Sequence, residues 1–343
     1  MPGGIILHGR QIAQAVGRKI KLDIAHLKSN FNVSPKLVVI EVGELPQSKL
    51  YIKQKFKFAK KYGILLSHMR LPSHISESLL LDYVYKLNTD SSVHGITLQL
   101  PFDSDTNINV TNSLNAVATH KDVEGLNSYN TALLSRGDIL CPHCDGLKQK
   151  HTHIPCTAAA CYALIRHVNF PISGSRCVII GSGRLVGAPT AELLSSSYGA
   201  TVILCHSQSA NIDEEINRGD IIVSGVGHPG LIKGDWIRPG ALVIDCGYSI
   251  RNDPQNPSKS QCVGDVEFNA ALEKAKWITP VPGGVGPVSI AMLFRNTVNS
   301  AQWSVGLSGS VCFCSYSSES DILSKEYADR KYLDEENIAD ITL

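Results

Sequence analysis

The chain has 343 residues, enough for about two domains that each bury a core without disulfide staples, and its 43% hydrophobic and 18% charged content is ordinary for a globular protein. A net charge of +1 carries no electrostatic signature of nucleic acid or anionic membrane as partner. No apolar run approaches the ~18 residues that span a bilayer, and MPGGIILHGRQIAQ is too short in apolar length for a signal sequence and too poor in Arg and Ser for a transit peptide, which predicts a cytoplasmic protein.

In chain order, LVVIEV from Leu37, LLSHMRL (65–71) and HGITLQL (94–100) read as strands, with helical patterns at 50–62 and 76–87 between them. A polar stretch over 136–153 separates this half from the next. There, CVIIG (177–181), ATVILC (200–205), DIIVSG (220–225), ALVIDCG (241–247) and WITPV (277–281) read as strands. The runs are continuous rather than alternating, as in parallel strands covered on both faces, and the class is α/β. A long helical pattern runs from Pro287 to about Trp303, with proline in its first turn. From 304 the chain is serine-rich and then charged, with eight acids and three bases from Glu319 onward. This predicts a disordered extension in which SKEYADRKYLDEEN is able to form a surface helix.

The ten cysteines are spread thinly. Cys177, Cys205 and Cys246 sit in or beside apolar runs, where a thiol behaves as a small hydrophobe. Cys141 and Cys144, with His151 and His153 following, suggest zinc, but H-x-H at that distance is not a common zinc spacing. An ordinary polar loop is the preferred reading, and no metal is predicted.

GSGRLVGAP, 181–189, lies between a buried strand and the helical AELLSSS, where free backbone N–H groups and a helix dipole face a phosphate. Gly181 and Gly183 fit the dinucleotide fingerprint G-x-G-x-x-G, Val186 occupies the third glycine position, and Gly187 comes one residue late. The following strand ends Cys205-His206-Ser207, without the acid that NAD enzymes place on the ribose 2′-OH. His206, Ser207 and nearby Arg184 suit a 2′-phosphate, so NADP is favoured over NAD. In the first half, Tyr51 and Lys55 are four apart and share a helix face, a ring able to stack on a flat substrate beside an ammonium able to exchange a proton. The bland reading of any lysine among 53, 55, 57, 60 and 61 is a solvated face. Gln99 ends a strand, where α/β sites tend to lie, and glycines 283, 284 and 286 let backbone approach a ligand.

Together these residues resemble the methylenetetrahydrofolate dehydrogenase/cyclohydrolase family. V-G-x-x-x-x-S-x-x-Y-x-x-x-K-x-K is matched by Val42 to Lys57, H-G-x-x-x-Q-L-P by His94 to Pro101, and K-D-V-D-G by KDVEG at Lys121 to Gly125. P-C-T is matched at 155–157, G-R-S-x-x-V-G-x-P loosely at 181–189, and P-V-P-G-G-V-G-P fully at 280–287. The resemblance covers residues 5 to about 303. It implies two three-layer α/β domains, the second a Rossmann-like parallel sheet, with the active-site cleft between them. The corresponding division is a folate-binding catalytic domain at 1–150 completed by the helix at 287–303, an NAD(P)-binding domain at 151–286, and the extension at 304–343.

The implied chemistry is oxidation of 5,10-methylene-tetrahydrofolate by hydride transfer to NADP, then hydrolysis of the 5,10-methenyl cation to 10-formyl-tetrahydrofolate, within the one-carbon metabolism that feeds purine biosynthesis. Lys55 would be the general acid/base, its proton loosened by a partly dry cleft and a cationic substrate. Tyr51 would stack on the folate and Gln99 would orient Lys55. Glu124 would grip the pterin amino and N3 groups, and Pro280, Val281, Pro282, Gly283 and Gly284 would wall the site. Gly181, Ser182, Gly183, Arg184, His206 and Ser207 would hold the cofactor, and a homodimer would form through the cofactor domain. Two positions depart from the family: Glu124 replaces its aspartate and is one methylene longer, and Ser182 replaces an arginine that contacts the 2′-phosphate. The departures leave NAD use open, and they define an alternative, a folate-binding pseudoenzyme or a cyclohydrolase with impaired dehydrogenase activity. A dehydrogenase of another substrate would not need Tyr51, Lys55 and Gln99 in this register. A trifunctional enzyme would add a ligase with G-x-x-x-x-G-K-[ST], which does not occur here.

Overall fold

The structure, a computed structural model, describes residues 3–138, 152–253, 256–307 and 309. After the short strand β1 (Ile5–Ile6), α1 (Gly9–Phe31) buries Ile12, Val16, Ile20, Ile24 and Leu27, a stripe at three- and four-residue spacing that faces the core. Asn32, at φ 54°, closes α1 in the left-handed region; its N–H returns to the Lys28 carbonyl and that of Val33 to the Leu27 carbonyl. Then follow β2 (Lys36–Val42), α2 (Pro46–Tyr62), β3 (Leu65–Leu71), α3 (Glu77–Thr89) and β4 (Gly95–Gln99). Ser76, Asn109 and Asn127 cap α3, α4 (Val110–Ala116) and α5 (Ser128–Ser135) by accepting a backbone N–H of the first turn.

The second half opens with α6 (Cys156–His167). It continues through β5 (Arg176–Ile180), α7 (Gly187–Glu192, running on as a π-helical turn to Ser197), β6 (Thr201–Cys205), α8 (Ile212–Arg218), β7 (Ile221–Ser224) and β8 (Leu242–Asp245). An antiparallel hairpin of β9 (Ser249–Asp253) and β10 (Asn256–Val263) leads to α9 (Phe268–Leu272), β11 (Trp277–Ile278) and α10 (Val285–Ser304).

Two parallel sheets result, in the orders β3-β2-β4 and β1-β11-β8-β7-β5-β6. Both are covered on both faces. Along β2, Leu37 and Val39 point into one core while Val38, Ile40 and Val42 point into another; along β5, Cys177 and Ile179 part in the same way from Val178 and Ile180. The cores on the inner faces of the two sheets are continuous, because α1, α6 and α10 fill the space between them. The predicted strands and the α/β class thus appear as a two-sheet layered architecture with a Rossmann-like second sheet. Ile5–Ile6 pairs with Trp277–Ile278, so the first strand of the chain belongs to the second sheet. Among the described residues no helix is long and apolar enough to cross a membrane. Cys141, Cys144, His151 and the segment 310–343 lie outside the described residues; His153 is buried against Trp303 and its Nε2 lies 2.9 Å from Ser300 Oγ.

Candidate active site

α2 settles which of its lysines is unusual. Pro46 opens it, Gly63 closes it at φ 81°, and its buried stripe is Ser48, Ile52, Lys55, Ala59 and Tyr62. Lys53, Lys57, Lys60 and Lys61 are exposed, as a solvated face requires, whereas Lys55 is only 6% exposed. An ammonium so placed needs partners to offset its lost hydration, and β4 and the segment after it supply them. Gln99 Oε1 accepts a hydrogen bond from Lys55 Nζ at 3.1 Å, and Glu124 Oε1 lies 3.7 Å from the same nitrogen. Gln99 donates its Nε2 to the Leu100 carbonyl, which turns the amide oxygen toward the lysine. The following Leu100–Pro101 bond is cis, as is Val281–Pro282.

Glu124 also accepts the Thr97 hydroxyl at 2.7 Å. The strand pleat places Thr97 and Gln99 on one face of β4, because Ile96 and Leu98 point into the opposite core. Thr97 was not anticipated from the sequence: a hydroxyl inside an apolar strand reads as ordinary until its facing partner is known. Asp122, in the same KDVEG turn, is fully buried and serves the scaffold. Its Oδ2 accepts from Asn127 N and Asn130 Nδ2, while desolvation raises its pKa to about 6. His94, before β4, accepts the Lys36 N–H on Nδ1, and burial beside Lys121 lowers its pKa to about 4, so it is neutral.

Tyr51, one turn before Lys55, meets the second half of the chain. Its ring lies edge-on to Tyr248, 5.0 Å between centroids, and burial followed by the nearby Tyr248, Cys262 and Cys246 raises its phenol above the ordinary range. Tyr248 follows β8 by three residues and is a second site residue not anticipated. Pro280 to Gly284 form the turn into α10: the Gly284 N–H bonds the Pro280 carbonyl, the Gly283 carbonyl receives the Gly9 N–H, and Pro282 is exposed.

The turn after β5 explains its displaced glycines. The strand order reverses around β5, since the chain runs from β5 to β6 on one side and returns to β7 on the other, and ligands bind at the carboxyl ends beside such a switch point. Gly181 has φ 100°, which a side chain would resist. A Cβ on Gly187 would lie 1.6 Å from the Gly181 carbonyl oxygen, so the residue that must be small for helix and strand to close is Gly187. Val186 is tolerated in the third position because Gly225, just past β7, lies against it, and its absent Cβ leaves room for the valine methyls. Ser182, Gly183 and Arg184 are exposed, with open space over Gly183. His206 and Ser207 are exposed beyond β6, no carboxylate follows among residues 205–211, and His206 Nδ1 accepts the Gln208 N–H. Arg184 reaches across to the first half, where its Nη1 donates to Thr111 Oγ1 on α4 at 3.0 Å. The structure therefore brings Lys55, Gln99 and Glu124 together, sets Tyr51 against Tyr248, and turns Arg184 toward α4.

Comparison with known proteins places the chain in a family. Residues 7–124 match the family model for the tetrahydrofolate dehydrogenase/cyclohydrolase catalytic domain, and residues 155–305 match that for the NAD(P)-binding domain of the same family. The cytoplasmic C-1-tetrahydrofolate synthase of Homo sapiens is 43% identical over 298 residues, 87% of this chain and 31% of the relative, so the chain spans about a third of the length of that protein. The bifunctional protein FolD of Bartonella bacilliformis is 38% identical over 304 residues, 88% of this chain and 97% of the relative. The crystal structure of Trypanosoma brucei N5,N10-methylenetetrahydrofolate dehydrogenase-cyclohydrolase, complexed with NADP and an inhibitor, superimposes with a TM-score of 0.81 at 33% identity, covering 89% of this chain and 100% of that one. With both family domains matched in order and the Bartonella relative covered nearly end to end, the chain belongs to the tetrahydrofolate dehydrogenase/cyclohydrolase family.

Proposed function

We propose that this chain oxidises 5,10-methylene-tetrahydrofolate to the 5,10-methenyl cation with NADP and hydrolyses that cation to 10-formyl-tetrahydrofolate. The observation that carries the reading is Lys55, buried on a helix whose other lysines are exposed and held between Gln99 and Glu124. Tyr51 offers a ring to the folate, Gln99 orients the ammonium, and Glu124 presents a carboxylate to the pterin amino and N3–H groups. Pro280, Val281, Pro282, Gly283 and Gly284 wall the cleft. Lys55 carries the proton that water must lose and the ring nitrogen must gain during hydrolysis.

The residues present suit NADP. Gly181, Ser182, Gly183 and Arg184 form an exposed turn at the switch point, and beyond β6 stand His206 and Ser207 without a carboxylate to repel a 2′-phosphate. NADP, when bound, supplies the hydride acceptor. Further proposals follow from the same family: a folate domain at 1–150 completed by α10, a cofactor domain at 151–286 through which a homodimer forms, and a cytoplasmic role supplying one-carbon units to purine biosynthesis. The alternative of a pseudoenzyme draws no support from the bifunctional relatives.

One assay tests the reading: absorbance of methenyl-tetrahydrofolate formed with NADP and with NAD, and its subsequent decay. The parental chain forms it faster with NADP, and Lys55→Met lowers the hydrolysis at least ~100-fold while the circular dichroism stays parental. Parental hydrolysis by the methionine variant removes Lys55 from the reaction.

A further inference from the structure

The glutamate in the KDVEG turn raises a geometrical question, since its extra methylene gives the carboxylate one more rotatable bond than an aspartate has. The carboxylate nevertheless has a fixed partner. Thr97, 1% exposed, donates its hydroxyl to Glu124 Oε1 at 2.7 Å, and Lys55 Nζ lies 3.7 Å from the same oxygen. We propose that Thr97 is a positioning residue that sets the reach of Glu124 and so determines how tightly the cleft holds its folate; this rests on the function proposed above.

An ionised carboxylate has about four lone-pair positions, two on each oxygen. Thr97 occupies one on Oε1, and Lys55, 3.7 Å from the same oxygen, lies beyond hydrogen-bond distance, so one position on Oε1 is left beside those of Oε2. A pterin edge with adjacent amino and N3–H donors takes one position on each oxygen, and that pairing requires the plane of the carboxylate to be held. An isolated glutamate samples several rotamers. The Thr97 bond selects the one in which Oε1 sits between strand and lysine, so less freedom is lost when substrate arrives. Thr97 is placed for this by the strand itself: it is two residues before Gln99 on β4, so hydroxyl and amide point to the same side of the sheet and act on the two partners of one ion pair.

The test compares the parental chain with Thr97→Val, which keeps the shape and strand preference without the hydroxyl, and with Thr97→Ser, which restores the hydroxyl. Calorimetric titration with tetrahydrofolate and the Michaelis constants of both reactions are the readouts, with thermal midpoints recorded alongside. Thr97→Val weakens tetrahydrofolate binding and raises both folate Michaelis constants roughly tenfold, with a smaller change in kcat and none in the Michaelis constant for NADP. Thr97→Ser recovers most of the loss. In a Glu124→Asp background, where the shorter acid no longer reaches the hydroxyl, Thr97→Val has little further effect. Parental affinity in Thr97→Val, failure of serine to rescue, or an undiminished effect in the aspartate background overturns the assignment. A parental chain that neither binds tetrahydrofolate nor turns over either substrate overturns the proposed function and this inference with it; a parental chain that does both, with an unaffected Thr97→Val, overturns this inference alone.

Discussion

Arg184 is the residue whose direction in the structure most changes what its charge can do. The sequence predicts a guanidinium beside a 2′-phosphate, shared with His206 and Ser207; the side chain instead donates to Thr111 across the chain. Both groups are exposed, so this hydrogen bond holds the arginine weakly, whereas a charge-assisted bond to a phosphate contributes about 1.5–3 kcal/mol. The phosphate therefore wins when NADP is bound. Arg184→Ala accordingly raises the Michaelis constant for NADP by about tenfold or more and leaves that for NAD near parental, while Thr111→Val changes neither by as much. Steady-state kinetics with both cofactors decide it. Equal losses for NADP and NAD, or a Thr111→Val effect as large as that of Arg184→Ala, assign the arginine to the contact with α4.

At the scale of the element, the turn between β5 and α7 depends on Gly187. An added Cβ would lie 1.6 Å from a backbone oxygen, which no side-chain adjustment relieves. Gly187→Ala therefore pushes α7 off the carboxyl end of β5, costs about 2–4 kcal/mol of stability, and weakens both cofactors alike; Gly183→Ala, with open space around its Cβ, costs less than about 1 kcal/mol. Urea unfolding of the two variants checks this, and equal midpoints refute it. The same turn shows what was legible in the sequence. Apolar runs locate β3 at Leu65–Leu71 as predicted and most other strands within a residue or two; the clearest are β2, β4 and β5, whose residues are almost all buried, whereas β3 and β6 lie at the sheet edges and are partly exposed. The stripe of α1 is equally present, at Ile12, Val16, Ile20, Ile24 and Leu27, but a glycine-rich start obscures it. The hairpin of β9 and β10 is hidden in the sequence because SIRND and NPSKSQCV carry no apolar run. Lys55, Gln99 and Glu124 were recognisable by motif. Thr97 and Tyr248 were not, because their significance lies in which face of a strand, and which distant loop, the fold sets opposite them.

Stability as a function of pH belongs to the whole molecule, and Asp122 gives it an unusual component. Desolvation lifts this carboxyl from 3.8 to about 6 despite its bonds to Asn127 and Asn130. Folding thus favours its protonated form: the stabilisation is complete below about pH 4 and is lost as pH rises through about 6. Relative to Asp122→Asn, the parental chain therefore gains of order 2–3 kcal/mol between pH 7 and pH 4. Asp245, also raised to about 6 by burial, is common to both proteins and cancels in the difference. Denaturant unfolding of the pair at a series of pH values measures it, and a difference independent of pH removes Asp122 from the account.

The threading of the chain between its two sheets has a consequence for biosynthesis. β1 pairs with β11, joining residues 5 and 277, and α10 supplies Val288, Leu293, Phe294 and Ala301 to the core that also holds α1 and β2. On the ribosome the first strand emerges long before its neighbour exists, and the inner face of the first sheet, covered early by α1 and α2, stays incomplete until α10 has been made. Neither half can therefore complete its core while the other is still being translated. The nascent chain holds apolar surface open until α10 emerges, when it is most exposed to aggregation, and final closure depends on contacts far apart in sequence, the slow kind. Until α10 emerges, such a chain exposes the kind of apolar surface that holding chaperones bind, unlike a two-domain protein whose first domain folds while the second is still being made.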